Sequence, residues 1–171
     1  MTDEQNKTEP PKKLVSVVQI LNIRLREVTA SSKTPSLTEP MHFHLNFEHA
    51  ASVQEKIGDV FVVVATINTR LFGPVEKNAP VPPNLTSLES FASVKAAFEI
   101  SYKLPEGFAA EPKEIENFAK VNGLFNAWPY FREFVQSSFT RMNFPLVTLP
   151  LLRVLPSPPR TNPPPEKTES P

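Results

Sequence analysis

The chain contains no cysteine, and this absence removes several kinds of chemistry. Disulfides, thiol nucleophiles and zinc sites built on thiolates are all excluded. Glycine is also scarce: only four occur, and they do not repeat at the spacing of a phosphate-binding loop. The sequence therefore predicts neither a nucleotide cofactor nor a thiol-based active site.

An excess of charge of one sign and long apolar runs are missing as well. Eighteen Lys and Arg residues balance eighteen Asp and Glu residues, so no nucleic-acid surface is predicted. The longest apolar run, Val60–Ile67, is too short to cross a bilayer. The first residues, MTDEQNKTEPPKK, lack the apolar core of a secretory signal. We therefore expect a cytoplasmic protein with neither nucleic-acid nor membrane partners.

Proline, in contrast, is abundant, with twenty residues, and it divides the chain. We expect residues 1–13 to form a disordered tail, residues 14–155 one folded domain, and residues 156–171 a second disordered tail. Seven of the prolines lie in the last segment, where they favour an extended chain that buries little apolar surface. Two interpretations of this tail stay open: a solvated terminus, or a peptide that docks in an aromatic groove.

Hydrophobic patterning predicts four strands followed by two helices, an α+β arrangement. The first helix is expected to end at Gly123 in a left-handed cap. The second is expected to carry Pro129 in its first turn and to end at Asn143. The predicted strands are Leu14–Val28, Met41–His49, Val60–Ile67 and Phe91–Leu104, and the first helix spans Pro112–Asn122.

The third predicted strand has apolar residues on both of its faces. Phe61 and Val63 point to one side, while Val62 and Val64 point to the other. Such a strand is typical of a sheet that is covered on both sides. Because the helices can cover only one side, we expect a second sheet or a second subunit on the other, and hence an obligate oligomer.

The sequence offers no convincing active site. His42 and His44 alternate on one strand and His49 follows, but a third ligand at metal-binding spacing is missing. A polar strand face is the simpler and preferred interpretation of these histidines. We therefore predict a non-enzyme without metal or cofactor. The thirteen phenylalanines instead suggest exposed apolar area, which marks binding surfaces.

Residues 124–150, LFNAWPYFREFVQSSFTRMNFPLVTLP, carry the most informative pattern. They combine a Pro-Tyr-x-Arg-Glu helix, a Ser-rich centre, an arginine and a Phe-Pro exit into an apolar Leu-Pro end. This order resembles the C-terminal helical segment of SecB, the bacterial export chaperone. The matching residues are Pro129, Tyr130, Arg132, Glu133, Ser137, Ser138, Arg141, Phe144, Pro145, Leu149 and Pro150.

The resemblance implies a SecB-like subunit: a four-stranded antiparallel sheet followed by two helices. It implies a homotetramer, a dimer of dimers formed through sheet and helix faces. It also implies an ATP-independent holdase that binds unfolded proteins and keeps preproteins competent for export. The alternative is an adaptor for a dedicated client such as an antitoxin, with the Pro-rich tail recruiting a partner. Arg24 and Arg26 depart from the family's acidic character, so delivery to SecA stays open.

The resemblance also implies apolar grooves for clients. We place the groove between Leu37–Phe43 and the exit Phe144–Leu152, which reads FPLVTLPLL. Two prolines keep this exit out of a central strand, so it must run over the surface, either as a cover for the core or as a groove wall. The predicted client-binding residues are Leu37, Met41, Phe43, Phe144, Leu146, Leu149 and Leu152.

Overall fold

The chain folds into four long β-strands followed by one helical segment. The structure, a computed structural model, describes residues 13–33, 42–144 and 147–152. Short 3₁₀ turns lie at Leu14–Ser16 and Leu85–Ser87. The strands are β1 (Gln19–Ser32), β2 (His42–Ile57), β3 (Val60–Val75) and β4 (Ala92–Lys103). The helices are α1 (Pro112–Phe118) and α2 (Leu124–Arg141), joined by a π-helical turn, Ala119–Gly123.

The strands form one antiparallel sheet in the order β1-β4-β3-β2. A two-residue turn, Gly58 and Asp59, joins β2 to β3, and Gly58 adopts a φ of 60° there. Glycine suits this position because a tight hairpin turn requires a left-handed residue. Strands β1 and β2 are the two edges. The predicted fold class, an α+β arrangement with an antiparallel four-stranded sheet followed by helices, is therefore confirmed.

The core lies between the helices and one face of the sheet. On this face alternate residues of β3, namely Phe61, Val63, Ala65 and Ile67, are fully buried. Alternate residues of β4 are buried beside them, because each pairs with one of the β3 residues across the ladder. The predicted apolar stripe of α2 faces them and buries Phe131, Val135 and Phe139.

Local signals set both ends of the helical segment. At its start, Glu111 and Glu114 form a reciprocal capping box, and Pro112 occupies the first turn, where its missing N–H costs nothing. At its end, Asn143 adopts a φ of 59°. Its N–H donates to the carbonyl of Thr140 at 3.1 Å, and the N–H of Phe144 donates to Phe139 at 2.9 Å. The predicted stop at Asn143 is therefore confirmed, as a Schellman motif.

The prediction that Gly123 caps a first helix is wrong. Gly123 has helical dihedrals, φ −58° and ψ −47°, so the helical segment runs through it without a break. Its lack of a side chain serves packing instead, because a Cβ atom here would lie 2.7 Å from Cγ1 of Val63. The expected position of Pro129 in a first turn is also wrong, since Pro129 lies inside α2. Pro129 and Phe125 are exposed, so water can satisfy the carbonyl that Pro129 leaves unpaired.

All four strands differ from their predicted bounds. The third runs to Val75 rather than Ile67, and the fourth spans Ala92–Lys103 rather than Phe91–Leu104. The second was expected to end at His49 but continues to Ile57, because its polar second half pairs residue by residue with β3. The first was expected to begin at Leu14, whose backbone instead forms a 3₁₀ turn before β1 begins at Gln19. Pairing decides the bounds of both strands: β2 pairs with β3 across the hairpin, whereas β1 pairs with β4, which is distant along the chain.

The sheet face opposite the helices, here called the open face, has no covering layer within the described residues. Val62 and Val64 lie on it and are half-buried by their neighbours in the sheet. The expected cover from a second subunit therefore stays a prediction. So does the domain division, since residues 1–12 and 153–171 lie outside the described part of the chain. No helix in the described ranges is long and apolar enough to span a membrane.

Candidate binding surface

A cluster of phenylalanine rings closes the core beside the start of β2. The ring of Phe144, which follows the Asn143 stop, lies 6.0 Å from Phe43 of β2, 5.8 Å from Phe91 and 5.7 Å from Phe139 of α2. Phe43 and Phe91 are only half-buried, and their ring centres lie 5.6 Å apart. The helix stop thus turns the chain so that Phe144 packs between the helix and the sheet.

Residues 147–152, here called the exit segment, run back along α2. Two side chains of the helix hold the backbone of this segment. Trp128 donates from Nε1 to the carbonyl oxygen of Pro150 at 3.0 Å, and Arg132 donates from Nε to that of Leu149 at 3.0 Å. The side chain of Leu149 is buried in the core, with 2% of its surface exposed, whereas Leu151 is 65% exposed.

The structure places the predicted client-binding residues partly in the core. Phe43 and Leu152 are half-buried and pack against it, while Phe144 and Leu149 lie inside it. Phe43 and Phe144 are brought into ring contact. Leu37, Met41 and Leu146 lie outside the described residues. The described residues of the exit segment thus cover the core in this conformation, and the client-binding role of the seven residues stays a prediction.

Beside the exit segment, the edge strand β2 presents apolar side chains on the helix side of the sheet. Phe47 is 37% exposed, and its ring meets that of Trp128 edge-on at a centre distance of 5.8 Å. Leu45 is half-buried on the same side. An apolar surface thus runs along this edge of the molecule, from the exit segment through Trp128 to Phe47 and Leu45 of β2. It is here called the margin of Phe47 and the exit segment.

A second apolar surface was not predicted from the sequence. The helices lie over β2, β3 and β4 and cover little of β1, so most side chains of β1 on the helix side stand in solvent, while Ile23 is half-buried against the core. The uncovered residues, here called the β1 strip, are Ile20, Leu25, Val28, Phe125 and Tyr130.

Two observations place members of the β1 strip next to one another. Leu25 pairs with Phe98 of β4, whose ring centre lies 6.3 Å from that of Tyr130. Ile20 and Phe125 line one cleft of about 280 Å³. The available signal in the sequence was the apolar character of both faces of the first predicted strand.

Polar groups lie within this cleft. Asn126 donates a hydrogen bond from Nδ2 to the Tyr102 hydroxyl at 2.8 Å. Burial raises the pKa of Tyr102, and the hydrogen bond from Asn126 acts in the opposite direction. The hydroxyl is therefore protonated at neutral pH and serves to position Asn126.

Apart from Val62 and Val64, the open face is mainly polar and carries ion pairs across its strands. Arg24 of β1 pairs with Glu99 of β4 at 2.7 Å, and Arg70 of β3 pairs with Glu48 of β2. Such partly exposed pairs contribute little stability each, but they keep this face hydrated. The open face is therefore less suited to binding apolar partners than the β1 strip.

The histidines do not gather into a site. A register shift separates His42 from His44, and His49 pairs with Ile67 on the helix side of the sheet, whereas His44 points to the open face. Within the part of the chain that the structure describes, no group of three or more His, Cys, Asp and Glu side chains could hold a metal ion. These residues therefore fit the polar strand interpretation.

The fold and the residues of α2 resemble those of SecB-like proteins, and comparisons with known proteins agree. No family model matches the chain. It is 29% identical over 147 residues to the SecB-like chaperone MT2006 of Mycobacterium tuberculosis, covering 82% of this chain and 80% of that protein.

Solved structures give a further comparison. The Mycobacterium tuberculosis Rv1957 SecB-like chaperone, in complex with a ChAD peptide from the Rv1956 HigA1 antitoxin, aligns at a TM-score of 0.61 with 22% identity, covering 84% of this chain and 96% of that one. A Streptococcus agalactiae protein of unknown function aligns at only 0.43 with 12% identity and adds nothing to the argument. The chain is SecB-like in sequence and in fold, and the predicted resemblance is confirmed.

Proposed function

We propose that this chain is an ATP-independent chaperone that holds unfolded or partly folded proteins in the cytoplasm, and that it binds without catalysing a reaction. The observation that carries the proposal is the amount of apolar surface left in solvent, on the β1 strip and along the margin of Phe47 and the exit segment. Contiguous exposed apolar surface marks binding sites for other proteins. The similarity to a SecB-like chaperone supports the same role.

The two apolar surfaces suit two different tasks. Edge strand β1 belongs to a single antiparallel sheet, and it combines backbone groups on an outer edge with apolar side chains. We propose this surface for self-association, because obligate interfaces are more apolar than ordinary protein surface. The margin of Phe47 and the exit segment then remains for clients, close to where the groove was predicted.

An aggregation assay tests the holdase proposal. A chemically unfolded model protein is diluted from denaturant with and without the full chain, and light scattering is followed. We expect suppression at one tetramer per unfolded molecule, because apolar burial contributes about 25 cal/mol per Å² and several weak sites act together. An unrelated folded protein of similar size serves as the control. Equal scattering in the presence and absence of the chain would refute the proposal.

A dedicated adaptor is the second candidate function, and one observation favours it: a solved SecB-like chaperone carries an antitoxin peptide. An adaptor would bind one client peptide tightly and unrelated unfolded proteins poorly. Measuring affinities for a panel of unrelated unfolded proteins separates the two functions, since a holdase should bind them within a narrow range. Truncation after Leu155 tests whether the Pro-rich tail recruits a partner; delivery to SecA is left open by the proposal.

Assembly as a tetramer is part of the proposal. A dimer of dimers needs two kinds of symmetric interface, which the β1 edge and the exposed side of the helices can supply. Leu25→Asp would introduce a charge into the β1 strip, and we expect it to reduce the sedimentation coefficient. Val62→Asp, on the open face, is the matched variant. Loss of assembly only in Val62→Asp would move the interface to the open face, and a stable wild-type monomer at micromolar concentration would refute assembly.

A further inference from the structure

We propose that the exit segment is an internal substitute for a client, and that Trp128 and Arg132 bind the backbone carbonyls of the client that displaces it. This inference rests on the proposed function, since it names how the client site works. It adds two positioning residues and an internal competitor to that site. Three features of the exit segment carry it.

The first feature is the kind of contact that holds the segment. Residues 147–152 make no backbone–backbone hydrogen bond to any described residue, and they belong to neither a helix nor a strand. Their backbone is held by the side-chain donors of Trp128 and Arg132, both directed at carbonyl oxygens. Every polypeptide offers such carbonyls, so these two donors recognise an extended chain whatever its sequence.

The second feature is the buried apolar side chain beside the two carbonyls that the donors bind. Leu149 is almost fully buried, and it directly precedes Pro150, whose carbonyl Trp128 binds. Leu151 points into solvent. An extended segment that inserts one large apolar side chain and exposes another is what an unfolded, apolar client would present to the same site.

The third feature is the low cost of releasing the segment. Regions with few backbone hydrogen bonds and few buried side chains open at free energies far below that of global unfolding. The tether supplies the segment at an effective concentration on the order of millimolar, which a client with several apolar side chains can outcompete. Only molecules whose segment is released can bind a client. The apparent client affinity is therefore the intrinsic affinity multiplied by the released fraction.

Trp128 provides a direct reporter, because it is the only tryptophan of the chain and is 3% exposed. The probe is an amidated peptide with the sequence of residues 147–152 and a nitroxide spin label at its N-terminus, titrated into the full chain. Binding is followed through the single indole N–H resonance, with the reduced, diamagnetic label as the control. In the wild-type chain, we expect excess peptide to broaden the indole resonance, because the bound label lies close to Trp128.

Leu149→Ser is the main variant, with Leu151→Ser as its matched control on the same segment. Without the buried leucine the tethered segment competes less well, so we expect the peptide to bind on the order of tenfold more tightly. The free variant should also show a red-shifted tryptophan emission. Leu151→Ser should change neither quantity, since that side chain lies in solvent.

Arg132→Met tests the recognition role of Arg132 separately from competition by the exit segment. When it is added to Leu149→Ser, it removes the Nε donor with little change in side-chain volume, so peptide affinity should fall several-fold. Arg141→Met, which removes an exposed arginine from the last turn of the same helix, is the control and should have no effect. A purely structural role for Arg132 would not lower affinity in a variant whose segment is already released.

The results that overturn the inference are distinct from those that overturn the proposed function. An unchanged peptide affinity in Leu149→Ser, or no effect of Arg132→Met in that background, would make the exit segment a fixed part of the core. If Leu149→Ser fails to fold, the wild-type titration decides, and an indole resonance that is not broadened by a large excess of the spin-labelled peptide refutes the inference. Each of these outcomes is compatible with full suppression of aggregation by the wild-type chain.

Discussion

Gly123→Ala tests the close contact between the π-helical turn and β3. The added Cβ would lie 2.7 Å from Cγ1 of Val63, about 1 Å nearer than the optimum for two carbon atoms. Val63 is fully buried and β-branched, so its side chain cannot turn away. The helical turn must therefore move off the sheet, or β3 must shift.

The size of the effect follows from two opposing contributions. Overpacking of this kind costs about 2–3 kcal/mol. Gly123 has helical dihedrals, so alanine also gains about 1 kcal/mol of helix propensity. We expect Gly123→Ala to lower the free energy of unfolding by about 1–2 kcal/mol, or Tm by about 3–6 °C.

A double-mutant cycle isolates the contact. In a Val63→Ala background the clashing atom is gone, and the next atoms near the new Cβ, Cβ of Ala51 at 3.5 Å and Cβ of residue 63 at 3.8 Å, lie at ordinary contact distance. Gly123→Ala should then stabilise the chain by about 0.5–1 kcal/mol. The coupling energy between the two sites is expected to be about 2–3 kcal/mol.

Urea unfolding followed by circular dichroism, at one fixed protomer concentration, measures the four variants of the cycle. Gly107→Ala is the control, because a Cβ atom there meets nothing within 4 Å and its strain comes from a φ of 75°. The loss of unfolding free energy caused by Gly107→Ala should be the same in the wild-type and Val63→Ala backgrounds. Equal destabilisation by Gly123→Ala in both backgrounds would refute the contact as the reason for glycine at this position.

Substitutions at three further positions test other features by the same unfolding measurement. Asn143 has a left-handed φ, which glycine adopts more easily than asparagine and alanine less easily. Asn143→Gly should therefore stabilise the chain by about 0.5–1 kcal/mol, and Asn143→Ala should destabilise it by about 1 kcal/mol. Effects of the same sign would contradict this reason. The buried Thr69 hydroxyl has no partner among the described residues, so Thr69→Val should stabilise by about 1 kcal/mol, and a loss would reveal a missed hydrogen bond. Burial raises the pKa of Tyr102, so its contribution is complete below about pH 10 and is lost as the pH rises through the folded pKa. Tyr102→Phe should therefore lose less stability than the wild type between about pH 10 and 12, and equal losses would exclude Tyr102 as the cause.

Several features that depend on a few neighbouring residues were predicted correctly. The helix begins at Pro112 and ends before Asn143, because the φ preferences of proline and asparagine act within one turn of the chain. The alternation of Phe61 and Val63 with Val62 and Val64 also gave the two faces of β3 correctly. Side-chain direction in a strand depends only on the parity of the residue number.

The tertiary structure decided which of these features meet, and where each layer ends. Gly123 was assigned to a cap because glycine commonly ends helices, yet its role is set by Val63, sixty residues away along the chain. The exposure of Leu25 follows from the helices lying over the other three strands, which no local pattern encodes. Trp128 and Arg132 bind backbone carbonyls, which every residue type has, so no residue type in the exit segment could predict these hydrogen bonds. Sequence patterns report the local preferences of a chain, whereas burial and donor–acceptor pairing depend on distances that only the folded chain defines.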